Sequence, residues 1–302
     1  MVKVPKVLPT RDGVGASCVV LLAGPWATIA AFLVQRFPAV SPATWAARID
    51  AGEVVDEHSV VVSAQRPHQP GLRVYYYRSV DDEARIPFEE TVLFHDAYLV
   101  VVDKPHFLSV TPGGNHLHET LLVRLKRRLG LDDLVPLHRL DRETAGVIAF
   151  SVQPATRGAY AQLFAQREVV KHYEAIVPWR GDMALPLTRH SRIGPDVHFM
   201  RMAELLGVPN AETRVELLDA QGGRARLRLS PVTGRKHQLR VQCAGLGMPI
   251  VNDAIYPTLR AHDSDDFARP LRLIARSLAF RDPLSGVPRH FVSPREQPLA
   301  EA

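Results

Sequence analysis

Apolar positions follow a helical rhythm at the start of this chain and a strand rhythm later. Residues 25–36 put Ile29, Phe32 and Leu33 on one face, and Pro25 suits a first-turn position. Ser41 and Pro42 open a second predicted helix as cap and first residue. It runs to about Ala51 and stops at Gly52. Short apolar runs at Val54-Val55, Val60–Val62 and Arg73–Tyr77 then read as strands. Two helices followed by small strands make an independent module. The acidic stretch Ser79–Glu90, with Pro87 inside it, reads as a linker.

Beyond the linker the pattern changes. Leu99–Val102 is a predicted strand ended by Lys104-Pro105. Thr120 caps a predicted basic helix to about Leu129, with Leu121, Leu122 and Leu125 facing inward. Residues 154–167 form another, with Tyr160, Leu163 and Phe164 on one side. Further strands are expected at Val147–Ser151, Tyr173–Val177, Thr213–Leu218, Ala225–Leu229, Gln238–Val241 and Leu278–Phe280. Strands with helices scattered among them imply an α+β fold rather than a doubly wound sheet. No internal repeat or low-complexity tract is present.

The uncharged stretch 13–35, preceded by Lys3, Lys6 and Arg11, imitates a signal peptide or membrane span. Gly24-Pro25 breaks it, and Ala, Gly, Ser and Thr dilute it. Two short buried segments are therefore expected, and no transmembrane helix.

Composition bounds this picture. With 302 residues, 46% hydrophobic and 23% charged, the chain is of ordinary globular type and long enough for about two domains. The net charge of +5 is small, but base is clustered: Arg124, Lys126, Arg127 and Arg128 in one run, then Arg224, Arg226, Arg228, Arg235, Lys236 and Arg240. Clustered base is the footprint of a polyanion partner. A solvated helix face and outward strand arginines would give the same spacing. Cys18 and Cys243 form neither a disulfide framework nor a metal knuckle, and a reduced, cytoplasmic setting is expected. His95 and His116-Leu117-His118-Glu119 lack zinc-site spacing, so no metal is expected.

The stretch HRLDRETAG, residues 138–146, sets one acid, Asp141, between Arg139 and Arg142, ahead of the apolar run Val147–Phe150. Neighbouring positive charge favours the ionised carboxylate, a possible nucleophile or base. Taken alone it reads equally as a salt bridge at a turn. Three other stretches accompany it in order: LVVVDKPHFLSVT (99–111), VVKHYEAIV (169–177) and PVTGRKHQLRVQ (231–242).

Together these four stretches resemble the RluA family of pseudouridine synthases. The likeness covers about residues 90–295, including the segment Gly247–Pro257. It implies a mixed, largely antiparallel central sheet with flanking helices, over residues 86–302. It also implies uridine isomerisation in ribosomal or transfer RNA without cofactor or metal, by a monomer. Asp141 corresponds to the family's obligatory aspartate, acting as nucleophile or as base. Arg240 corresponds to its arginine partner, and Tyr173 to the tyrosine that stacks on the target base. Arg139 corresponds to the arginine that fills the space left by a flipped base. Arg235, Lys236 and His237 are expected to hold phosphates. Glu143 is expected to point away from Asp141. Ala145, Gln242 and the run Leu273–Arg276 depart from the family pattern, which leaves target choice open.

Residues 1–85 resemble an S4 RNA-binding module in Phe37-Pro38, Ser41 and Ile49–Val54, although the basic helix face is thin and the Asn-Gly turn is absent. Such a module either contacts RNA or only packs on its neighbour. A second reading of the whole chain is an RNA-binding assembly factor or chaperone on the same fold with little turnover. A third is a carboxylate-dependent hydrolase, a class that usually needs two catalytic acids.

Overall fold

The computed structural model describes residues 8–80, 82–260 and 265–299. The chain divides into two compact units, Met1–Glu83 with Gly113–His118, and Ala84–Pro112 with Glu119–Ala302.

The smaller unit contains β1 (Ser17–Val20), α1 (Ile29–Arg36), α2 (Pro42–Asp50), β2 (Val54–Asp56) and β3 (Arg73–Tyr76). Its antiparallel sheet has the order β1-β3-β2. Ile29, Phe32, Leu33, Trp45, Ile49 and Val74 form its core. Ser41 caps α2 as its sequence implies, accepting from Thr44 N–H at 3.1 Å. Helix α1 begins later than Pro25, because Thr28 takes the Ala31 N–H and sets the start at Ile29. Val60–Val62 forms no strand, only a bridge from Val61 to Val55. The Asp56 carboxylate takes the N–H groups of His58 and Val60, folding this segment into a turn instead.

The larger unit contains β4 (Thr91–His95), β5 (Leu99–Lys104), α3 (Leu121–Leu129), β6 (Val135–Pro136), β7 (Ala145–Ser151), α4 (Arg157–Ala165) and β8 (Val170–Pro178). There follow β9 (Leu187–Pro195), β10 (Met202–Leu205), β11 (Ala211–Gln221), β12 (Arg224–Pro231), α5 (Gln238–Gly245), β13 (Leu273–Arg281) and β14 (Pro288–Val292). The fold is α+β. One sheet runs β10-β9-β11-β12-β8-β13-β7-β5-β4, with β14 paired to β13 and β6 to β7. All its pairs are antiparallel except β13 with β7.

Strands β5 and β7 are buried throughout. One face packs Val100, Val102, Ile148 and Phe150 against Leu121 and Leu125 of α3. The other packs Leu99, Val101, Val147 and Ala149 against Tyr160 and Leu163 of α4. Burial on both faces explains why these strands read as unbroken apolar runs. The Thr120 hydroxyl makes no capping hydrogen bond; Gly130 ends α3 in the left-handed conformation at φ 66°.

The expected strand Gln238–Val241 is instead the first half of α5. Its four residues alternate polar and apolar, which imitates a period of two. All six residues from Gln238 to Cys243 are buried, so the true helix has no exposed face to display a 3.6-residue rhythm.

Where β7 meets β13, Gly146 sits opposite Ala275, and Ala275 is in register with Tyr173 of β8. Gly146 has φ 107°, and a Cβ there would lie 2.2 Å from the Ala275 carbonyl oxygen. The missing side chain therefore lets the strand that follows Asp141 approach the strand beside Tyr173. Gly146→Ala is expected to cost at least about 3 kcal/mol, from backbone strain and overpacking together. Urea unfolding checks this; a loss below about 1 kcal/mol would contradict it.

Candidate active site

The loop from β6 to β7 carries His138–Thr144 of HRLDRETAG, and Ala145 and Gly146 open β7. Asp141 opens a turn, its carbonyl accepting from Thr144 N–H at 3.1 Å. Several tethers fix the loop. His138 Nε2 accepts from Ala149 N–H at 3.1 Å, and its ring stacks on Phe164. His106 Nδ1 donates to the Glu143 carbonyl at 2.6 Å. Lys104 is fully buried, and its ammonium donates to the carbonyls of Pro105, Leu108 and Arg142 at 2.8–3.0 Å. Arg142 holds Asp265 through both terminal guanidinium nitrogens.

Burial lowers the Lys104 pKa to about 7, against the opposing charges of Glu143 and Asp141. Burial likewise lowers His106 to about 4 and His138 to about 3. A histidine whose folded pKa lies below its unfolded value supports the fold while neutral. That support is complete above the unfolded pKa and is lost as pH falls towards the folded one. Moving from pH 7 to pH 5 is therefore expected to lower unfolding free energy by about 1–2 kcal/mol for each of His106 and His138. Urea titrations over that range test this. A double His106→Asn, His138→Asn variant with an equally steep acid loss would refute it.

Asp141 faces α5. Its Oδ2 lies 3.5 Å from Arg240 Nη1 and 3.9 Å from His237 Nε2, and its side chain is 14% exposed. Arg240 is buried at 1% exposure and grips Asp253 with two bonds, Nε to Oδ2 at 2.8 Å and Nη2 to Oδ1 at 2.7 Å. Its remaining nitrogen, Nη1, faces both Asp141 and Glu143, the latter at 3.3 Å. Burial acts to lower the Arg240 pKa. The hydrogen bonds and charge of Asp253, with those of Asp141 and Glu143, outweigh it and raise the pKa. One guanidinium thus serves three carboxylates, and Glu143 does not point away from Asp141 as expected.

His237 precedes α5 at φ 55°. Tyr256 Oη accepts from Met202 N–H at 2.7 Å and lies 2.9 Å from His237 Nδ1. The arrangement that satisfies all three groups has the phenol donating to Nδ1, which leaves the ring proton on Nε2, towards Asp141. Burial lowers the His237 pKa against the pull of Asp141, keeping the ring neutral. Tyr173 is raised by burial and by the Asp141 charge, so its phenol keeps its proton.

These groups border a cleft of about 490 Å³ lined by Arg139, Asp141, Tyr173, Arg235, His237 and Arg240. The chain brings them together from the β6–β7 loop, β8 and the start of α5. Lys236 lines a second hollow, which shares Arg139, Asp141 and His237 with the first. Arg139 is exposed, and its side chain makes no hydrogen bond or ion pair among the described residues. Arg235 Nε donates to the Asn210 carbonyl at 3.1 Å.

Other members of the basic clusters are employed elsewhere. Arg124 pairs with Glu119 and Glu90 and donates to the Phe88 and Ile86 carbonyls. Arg224 and Arg226 donate to the carbonyls of Leu299 and Gln297, tying down the C-terminal segment. Sequence reasoning missed Asp253, Glu143, Lys104 and Tyr256. Asp253 and Tyr256 lie within the Gly247–Pro257 stretch that contributes to the family resemblance, and that was the available signal.

Among the described residues no group of three or more His, Cys, Asp or Glu side chains is arranged to hold a metal, and no helix is long and apolar enough to cross a membrane.

Residues 98–245 match the family model for RNA pseudouridylate synthase. The chain is 33% identical over 204 residues to the dual-specificity RNA pseudouridine synthase RluA of Haemophilus influenzae, covering 65% of this chain and 88% of that protein. To the Escherichia coli protein of the same description it is 32% identical over 212 residues, covering 68% and 93%. The solved structure of human RNA pseudouridylate synthase domain containing 1 superposes with a TM-score of 0.56 at 24% identity, over 68% of this chain and 84% of that one. Human RNA pseudouridylate synthase domain containing 4 gives 0.52 at 26%, over 67% and 87%. With the fold, the four sequence stretches and these relatives in agreement, the chain belongs to the RluA family of RNA pseudouridine synthases.

Proposed function

We propose that the protein converts one particular uridine of a structured ribosomal or transfer RNA to pseudouridine, with Asp141 acting at the sugar of a flipped-out nucleotide. The bond between the ribose C1′ and base N1 breaks, the base turns, and C1′ joins C5. The C5 hydrogen leaves to water, and N1 gains a proton, so the product is an isomer. Asp141 serves as nucleophile or base, with Arg240 as counter-ion. Tyr173 stacks on the base in the cleft, and Arg139 fills the space that the base leaves in the RNA. Arg235 and Lys236 hold the flanking phosphates, whereas His237, neutral and with its one N–H turned towards Asp141, is left to face the acid rather than a phosphate. The first 85 residues serve as an S4-like RNA-binding module, and residues 86–302 as the catalytic domain.

One observation carries this reading. Arg139, Asp141, Tyr173 and Arg240, spread over a hundred residues of sequence, line a single cleft in which the acid faces a buried, fully committed guanidinium. Ribosomal and transfer RNA fragments carrying tritium at uridine C5 test it. Label is expected in water from one of the two RNA classes. Tight binding without release would favour an assembly factor, and free uracil would favour a hydrolase.

A further inference from the structure

The turn between β9 and β10 leaves three apolar side chains in the open. Val197 is 106% exposed, Phe199 85% and Met200 44%. Their exposure does not come from a loose loop. The Asp196 carboxylate accepts from His198 N–H at 3.1 Å, and Arg201 N–H donates to the His198 carbonyl at 2.9 Å. Arg201 also pairs with Asp196, donates to the Pro257 carbonyl and lies over the Tyr256 ring at 5.3 Å. Met202 N–H donates to Tyr256 Oη, the hydroxyl that orients His237 beside Asp141. The base of the hairpin is therefore fixed to the same tyrosine that shapes the active site.

At the tip, the rings of His198 and Phe199 stack at 5.1 Å with an interplanar angle of 22°. Phe199 and Met200 line the hollow of about 570 Å³ whose other walls include Arg139, Asp141 and Lys236. An apolar ring on one side and cationic side chains on the other complement a nucleotide, whose base offers a π-face and whose phosphate offers charge.

We propose that His198 and Phe199 form a platform on which an unpaired nucleobase next to the target uridine stacks, with Lys236 facing its phosphate. This rests on the reading of the cleft as an RNA site, and it adds a place for a second base outside the catalytic pocket. Such a contact would favour targets whose neighbouring base is free of its own helix, a selection made by RNA shape rather than by sequence.

Two separate readouts distinguish the platform from the catalytic reading. Tritium release reports on the cleft. Affinity for a fluorescein-labelled stem–loop RNA with a uridine-rich loop, measured by anisotropy, reports on the platform whether or not turnover occurs. Phe199→Ala is expected to weaken that affinity by about 10- to 100-fold, with Phe199→Trp restoring it. The melting temperature should stay constant, since Phe199 is 85% exposed. A loop with abasic sites flanking the uridines should bind wild-type protein as weakly as Phe199→Ala binds the intact loop, and the variant should lose nothing further. Equal affinity of wild type and Phe199→Ala would overturn the platform. So would an equal loss on the intact and abasic loops, which would mean that the ring meets something other than a base.

Discussion

Asp141→Asn is expected to reduce tritium release on the order of 10⁴-fold or more while leaving RNA affinity within a few-fold. The substitution keeps the shape of the side chain and removes its charge and one carboxylate oxygen. Little else in the molecule depends on that charge. Arg240 keeps Asp253 and Glu143 as partners, and the turn at residue 141 is held by the backbone bond from Thr144 to the Asp141 carbonyl. The loop also keeps its other tethers at His138, Lys104 and His106. Thermal melting should therefore move little, and the loss should fall on kcat rather than on KM. Retention of more than about 1% of wild-type turnover would remove Asp141 from the chemistry, because deleting the reacting group of a covalent or acid–base step rarely leaves so much.

Much of this design is legible in the sequence, and the illegible parts have a common cause. The doubly buried strands β5 and β7 declare themselves as apolar runs, helix α2 through its Ser41 cap, and helix α3 through the spacing of its leucines. The acid at 141 is conspicuous because it stands between Arg139 and Arg142 just ahead of an apolar run. Arg240 is different. Its burial depends on Asp253, which lies thirteen residues downstream, and on a helix whose faces are all covered. Neither fact has a local periodic signature. The basic runs mislead for the opposite reason. Arg224 and Arg226 look available for RNA, yet they bond to carbonyls more than seventy residues away. A count of cations along a sequence cannot anticipate such tertiary partners.

The dependence on Arg240 gives the second large effect. Arg240→Met leaves Asp253 buried without a counter-ion and sets Asp141 and Glu143 side by side without the cation they share. Breaking a buried pair from one side costs about 3–5 kcal/mol, here on the order of 10 °C in melting temperature. Turnover of the protein that remains folded should also fall at least about 100-fold, since Asp141 loses the charge that orients it. Arg240→Lys should fall between, because a single ammonium cannot hold both oxygens of Asp253 and still reach the other two acids. The informative variant is Arg240→Met combined with Asp253→Asn. Removing the stranded charge while keeping Oδ1 as acceptor for the buried N–H groups of Ile255 and Tyr256 should recover most of the stability. It should recover none of the turnover. Melting and tritium release measured on the same preparations separate the two roles. If the double variant regained both, Arg240 would be a structural cross-link between α5 and the Gly247–Pro257 segment, and Asp141 would work without it.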